Sequence, residues 1–199
     1  MFSEKFSDYN FYLASKSPRR HELLKGMGIN FTYYPTNIAE TYPETLTPVE
    51  VAEYLSRLKL SGVNFAAADK KDIYIACDTI VVLGDKIIGK PTDTENAIEM
   101  LRELSGKEHT VISGLTVATK QKMLTSNRQS AVKFAEVSED EIRYYVENYK
   151  PLDKAGAYGV QEWFGYIGIE YIKGSFYNVM GLPTRLLWEM LENITAEIK

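Results

Sequence analysis

The sequence predicts an α/β protein with a mixed central sheet and flanking helices. Three observations carry this. Short β-rich runs alternate with capped helical stretches through the first half of the chain. A long apolar run, 73–83, reads as a strand buried on both faces. Two further strand patterns, 109–118 and 128–137, sit side by side in sequence as a hairpin, which breaks a purely parallel order. The chain has 199 residues, 45% hydrophobic and 12% aromatic, enough for a sizeable core in one domain or two fused lobes.

The elements follow in order. Residues 1–9 read as a flexible leader before a domain over 10–199. Phe11–Ser15 is a short strand. Ser17 stands where it can cap a helix with Pro18 at its first position, where a missing N–H costs nothing. That helix ends at Gly26 and Gly28. A strand near 31–34 precedes an acidic, threonine-rich loop through Glu40. Thr47-Pro48-Val49-Glu50 opens a second helix with a capping box, and Val51, Leu55 and Leu58 share one face. Gly84-Asp85 turns the long strand back into Lys86–Ile88. A third helix spans Thr92–Leu104, capped from Thr92 to Glu95. The polar segment 120–127 joins the hairpin. Ser138 and Glu141 form another capping box, for a helix to about Asn148. Residues 157–161 and 166–172 read as extended, and 183–194 as a closing amphipathic helix.

Charge and cysteine content narrow the function. The net charge is −4, which argues against a surface for nucleic-acid polymers, and no basic stripe is interleaved with aromatics. An anion site must then be local. One cysteine, Cys77, permits no intramolecular disulfide and suits a reducing, cytoplasmic setting. No segment reads as a signal peptide or a membrane span. With only two histidines and one cysteine, no zinc spacing exists. A Ser-His-Asp triad would need His109, which has no nucleophile elbow near it.

Two stretches stand out chemically. At 12–20, "YLASKSPRR", a strand ends in small residues and a capped helix begins. Unpaired backbone N–H groups, the helix dipole, Ser15, Ser17, Arg19 and Arg20 together suit phosphate oxygens. A plain helix cap with two solvated arginines fits equally well. At 76–81, "ACDTIV", a carboxylate interrupts an apolar strand. Asp78 is costly there unless it is paired or metal-bound. Residues 84–90, "GDKIIGK", approach a Walker A loop but fail it. Pro91 replaces the required hydroxyl, and Ile87-Ile88 read as strand. Lys90 then reads as a lysine at a strand end. Glu40 and Asp78 are oxygen ligands of the kind a hard divalent cation takes. Gln161, in the small-residue segment 153–161, offers a paired donor and acceptor that suit a base edge.

Five ordered motifs resemble the Maf proteins, a branch of the inosine-triphosphatase-like (Maf/Ham1) fold. They are "LASKSPRRHELL" (13–24), "ACDTIVV" (76–82), "GKP" (89–91), "DKAGAYGVQ" (153–161) and "GSFYNVMGLP" (174–183). The resemblance implies two lobes around a cleft and a nucleoside triphosphate pyrophosphatase. Such an enzyme releases a nucleoside monophosphate and pyrophosphate with magnesium or manganese, and is a cytoplasmic homodimer. By position, Ser15, Arg20, Lys59 and Lys90 would hold phosphates, and Glu40 would bind metal. Asp78 would be the general base or a metal ligand. Arg19, Thr79 and Gln161 match positions linked to base choice. Thr79 after Asp78 resembles the branch preferring dTTP and UTP; a sister branch with Gln there prefers methylated GTP. The alternative implied by the name is a nucleotide-binding regulator of septum formation with little turnover. The chain departs from the family pattern in two places. Asn148-Tyr149-Lys150-Pro151 replaces Ser-Gly-Glu-Pro, and Glu162-Trp163-Phe164 is bulkier than the expected glycine-rich stretch.

Overall fold

The β-rich run forms one long strand, β3 (Asp72–Leu83), buried along nearly its whole length. Its burial follows from neighbours on both edges. A computed structural model describes residues 5–196. The other strands are β1 (Asn10–Leu13), β2 (Phe31–Tyr33), β4 (Lys86–Ile88), β5 (Glu108–Ala118), β6 (Met123–Phe134) and β7 (Ile169–Lys173). The strand order is β2-β1-β3-β5-β6-β7, with β4 paired to β3. β1 runs parallel to β2 and to β3, with Leu13 opposite Ile75. β4 and β7 lie antiparallel to β3 and β6. The sheet is therefore mixed, as the sequence predicts.

The helices are α1 (Pro18–Gly26), α2 (Pro48–Leu58), α3 (Thr94–Leu104), α4 (Glu139–Tyr149), α5 (Trp163–Gly168), α6 (Phe176–Met180) and α7 (Thr184–Ala196). The Thr47 and Ser138 capping boxes form as expected. Several expectations are corrected. The third cap sits one residue later: Asp93 accepts from the Asn96 N–H at 2.9 Å, and Asn96 reaches back to the Thr92 N–H at 3.2 Å. The hairpin connection is only residues 119–122, closed by Thr119 N–H to the Lys122 carbonyl at 2.8 Å. The polar residues after it belong to β6 because the sheet satisfies them. Thr125 bonds Thr116, and Asn127 donates to Glu53. Residues 157–161 are not extended, since Gly156 and Ala157 both adopt positive φ (71° and 58°) and turn the chain. Residues 163–168 are helical, and only 169–173 are strand. The short helix α6 was not anticipated.

Two compact units emerge. The first comprises the described residues of Met1–Asp78, Ser113–Arg128 and Gly181–Lys199; the second comprises Thr79–Ile112 and Gln129–Met180. In the first, Ala14, Leu60, Val63, Ala68, Tyr74, Ala76 and Ala118 form one buried cluster. Of the leader expected over 1–9, residues 1–4 lie outside the described residues. Phe6 is 2% exposed and meets Phe11 and Trp188 edge-on, while Lys5 pairs with Glu192, so residues 5–6 are anchored. In the second unit, Phe134, Phe164, Tyr158 and His109 make a fully enclosed aromatic cluster.

β5 approaches α2 closely. A Cβ on Gly114 would lie 2.1 Å from the Ala52 carbonyl oxygen, a backbone atom that no rotamer change can move. Gly114→Ala should therefore cost at least about 1–3 kcal/mol, read as a lowered urea midpoint. His109 donates or accepts a 2.8 Å bond with the Tyr158 hydroxyl, and its burial pushes the imidazole pKa from 6.5 down to about 4, against a small opposing pull from Glu108. The folded state thus holds His109 neutral where the unfolded chain takes up a proton. Stability attributable to this site is complete above pH 6.5 and is lost as pH falls toward 4. The loss is about 3 kcal/mol. His109→Gln should flatten that part of the acid limb, as measured by urea unfolding at pH 7 and pH 4.5.

Candidate active site

In the first unit the chain leaves the sheet just after β1. The Ala14 N–H reaches the Ile75 carbonyl at 2.8 Å, and Ser15 follows, 6% exposed. Ser17 takes the N-cap position of α1 with extended backbone and Pro18 behind it, but its side chain makes no cap bond. The Ser15 hydroxyl oxygen instead accepts the Ser17 N–H at 3.2 Å and Arg20 Nη1 at 3.1 Å. Arg20 Nε donates to the Gly181 carbonyl at 2.8 Å. His21 Nε2 donates to the Ser15 carbonyl at 2.7 Å, which fixes a proton on that nitrogen. Ser15 and Arg20, five residues apart, are thus brought together at a helix start. The Arg20 guanidinium is aimed by a backbone oxygen from the far end of the sequence.

Gly181 links this cluster to the next. Its carbonyl also receives the Cys77 thiol at 3.4 Å. Cys77 is fully buried, as a small apolar residue would be, and Asp78 follows it within β3. Asp78 is 7% exposed. Its Oδ1 takes Lys59 Nζ at 2.5 Å, and the same nitrogen reaches Glu40 Oε1 at 3.0 Å. Lys59 is 7% exposed and sits directly after α2, at its C-terminal cap rather than within it. A buried carboxylate and a buried ammonium each offset the desolvation of the other. With Glu40, whose side chain is 45% exposed, the trio carries one surplus negative charge. Three residues far apart in sequence therefore share one site. The sequence exposes Asp78 through its apolar context, whereas Lys59 stands out only by its position in the family resemblance.

The donor set can be tested against a divalent cation. Among the described residues no group of three acidic, histidine or cysteine side chains could hold a metal ion. Two carboxylates, Glu40 and Asp78, do converge, and Glu40 is open to water. That is the pair a magnesium-type ion uses when water and substrate phosphates complete its shell. The oxygen chemistry of Glu40 and Asp78 suits a hard cation, and here the Lys59 ammonium bridges the two.

The second unit holds the remaining predicted residues. Thr79 continues β3. Lys90 follows β4 and is exposed, in the segment whose Gly89 carbonyl accepts the Gly156 N–H at 3.0 Å. That bond joins the "GKP" and "DKAG" motifs. Gln161 is half-buried, in a turn after Tyr158. Sequence reasoning missed a buried group beside it: Tyr145, Lys154 and Glu162, bonded to one another. Glu162 was visible as a departure from the family pattern, but its partners were not.

A family profile described as Maf-like protein matches residues 10–194. The chain is 46% identical over 187 residues to a protein of Bacteroides thetaiotaomicron named dTTP/UTP pyrophosphatase, covering 94% of this chain and 96% of that one. It is 44% identical over 191 residues to a Parabacteroides distasonis protein of the same name, at 96% and 98% coverage. Among solved structures, the Staphylococcus aureus Ham1 protein aligns with a TM-score of 0.51 and 17% identity, over 92% of this chain and 98% of that one. That likeness shows the fold. No helix among the described residues is long and apolar enough to cross a membrane. With the family profile spanning nearly the whole chain and the motif residues assembled as described, the chain belongs to the Maf-like proteins.

Proposed function

We propose that the protein is a nucleoside triphosphate pyrophosphatase with a preference for dTTP and UTP. The observation that carries this is the Glu40–Lys59–Asp78 constellation, set in a chain whose full-length relatives are named dTTP/UTP pyrophosphatases. Water adds to the α-phosphorus, and one oxygen–phosphorus bond forms. The bond from that phosphorus to the bridging oxygen breaks, and pyrophosphate leaves with the electron pair. Asp78 is assigned the proton of the water. Lys59 pairs with Asp78 in its buried setting and presents positive charge to the phosphates. Ser15 and Arg20 bind phosphate oxygens, with Arg20 held in one orientation by Gly181. Lys90 is assigned to the leaving pyrophosphate from its place in the "GKP" motif. Arg19, Thr79 and Gln161 are assigned to the base. Glu40 and Asp78 would hold magnesium or manganese, which supplies Lewis-acid charge at the phosphate and acidifies bound water.

We further propose a cytoplasmic homodimer, in line with the buried Cys77. Exposed Tyr166, Tyr171, Phe176 and Tyr177 lie within a short stretch of the second unit and offer apolar surface. Light scattering should return twice the 22.6 kDa chain mass; a monomer at micromolar concentration would contradict it.

The activity is tested by pyrophosphate release from a panel of canonical and methylated nucleotides, with and without magnesium. Release should be fastest with dTTP and UTP. Asp78→Asn keeps the shape and removes the charge, so turnover should fall by about 10²-fold or more. Full activity in that variant would remove Asp78 from the chemistry. Saturable binding without release would instead favour the regulator reading.

A further inference from the structure

A closed ring of hydrogen bonds in the second unit has no part in the reaction above. Tyr145, on α4, is fully buried. Its hydroxyl accepts the Gly159 N–H at 3.0 Å and donates to Glu162 Oε2 at 2.5 Å. The other carboxylate oxygen, Oε1, takes Lys154 Nζ at 3.1 Å, and Lys154 is itself 7% exposed and also paired with Asp153. The Glu162 N–H returns to the Gly159 carbonyl at 3.0 Å. Residues 159–162 are therefore a four-residue turn. Its first amide and its last side chain meet on one tyrosine oxygen.

Gln161 is the third residue of that turn. Its Oε1 is buried and finds no hydrogen-bond partner among the described residues. A buried acceptor left unpaired costs about 1–3 kcal/mol, so a donor from a ligand is the expected complement. A primary amide can match either pyrimidine pattern. In one orientation it meets the N3–H donor and O4 acceptor of uracil or thymine. Turned over, it meets the N4–H donor and N3 acceptor of cytosine. The amide turns about its own terminal bond, so which pattern it meets depends on where the backbone at 161 places it against the base.

We propose that the Tyr145–Gly159–Glu162 ring, braced by Lys154, is a positioning device that fixes the backbone from which the Gln161 amide is presented, and so sets the choice of uracil-type over cytosine-type bases. This rests on the triphosphate reading given above. Glu162 acts through the turn and does not touch substrate.

The test uses the full-length protein, Tyr145→Phe, Glu162→Gln, Gln161→Ala and the two combinations with Gln161→Ala. Hydrogen exchange of the 157–163 amides should quicken at least about tenfold in both ring variants. The ratio of kcat/KM for UTP over CTP should fall about tenfold in each, and in Gln161→Ala as well. Adding either ring variant to Gln161→Ala should lower the ratio no further. A purely structural ring would lower Tm and leave the ratio alone, and that result overturns the proposal. Unchanged exchange, a ratio that survives Gln161→Ala, or a further loss in the double variants overturns it too. If the wild-type protein releases no pyrophosphate from any nucleotide, the pyrophosphatase reading has failed instead. The ring is then judged by UMP-over-CMP affinity in calorimetry, with the same outcomes.

Discussion

The ammonium of Lys59 is the constraint on which the first unit's chemistry depends. A carboxylate at position 78 lies on a largely apolar strand, where an unpaired charge costs several kcal/mol. Lys59 offsets that cost at 2.5 Å, and Glu40 completes the pairing from the solvent side at 3.0 Å. The arrangement explains why α2 must end where it does. Its C-terminal cap delivers the lysine to β3, and the close approach of Gly114 to Ala52 keeps that helix against the sheet. A Cβ at 114 would push away the element that ends in the lysine.

The two halves of the residue set differ in how they are held. Ser15 and Arg20 are fixed by backbone atoms, a carbonyl at 181 and an amide at 17, with one side-chain bond between them. Backbone partners cannot be lost by substitution, so orientation there depends on the chain path. The turn that carries Gln161, by contrast, is held by side chains, Tyr145, Lys154 and Glu162, each of which one mutation can remove. The support around Arg20 is thus the less mutable of the two.

Much of the fold was legible in the sequence, and the failures have local causes. The long strand and the two Ser/Thr capping boxes declared themselves because apolar runs and cap chemistry act within a few residues. The hairpin boundary was misplaced because Thr125 and Asn127 look like loop residues until Thr116 and Glu53 are seen to satisfy them. Residues 163–168 are rich in aromatic and β-branched side chains, which favour strands, yet Gly165 lets the helical turn pack onto Val160, where a Cβ would lie 2.0 Å from its carbonyl oxygen. Asp78 was legible as a site residue because its context made it expensive. Glu40 was legible beside it as an oxygen ligand and Lys59 through the family resemblance, but their contact was not, because a lysine at a helix end and an acid in a loop are ordinary until the fold joins them.

The Arg20–Gly181 bond has a consequence for synthesis. The first unit is assembled from three stretches, and the last begins at Gly181. A ribosome-bound chain can therefore display the serine and both arginines of 15–20 long before the carbonyl that aims one of them has been made. Every stretch of the second unit leaves the exit tunnel before the first unit can close. A polypeptide halted short of residue 181 carries four of the five motifs complete yet lacks the carbonyl that Arg20 Nε reaches in the finished fold.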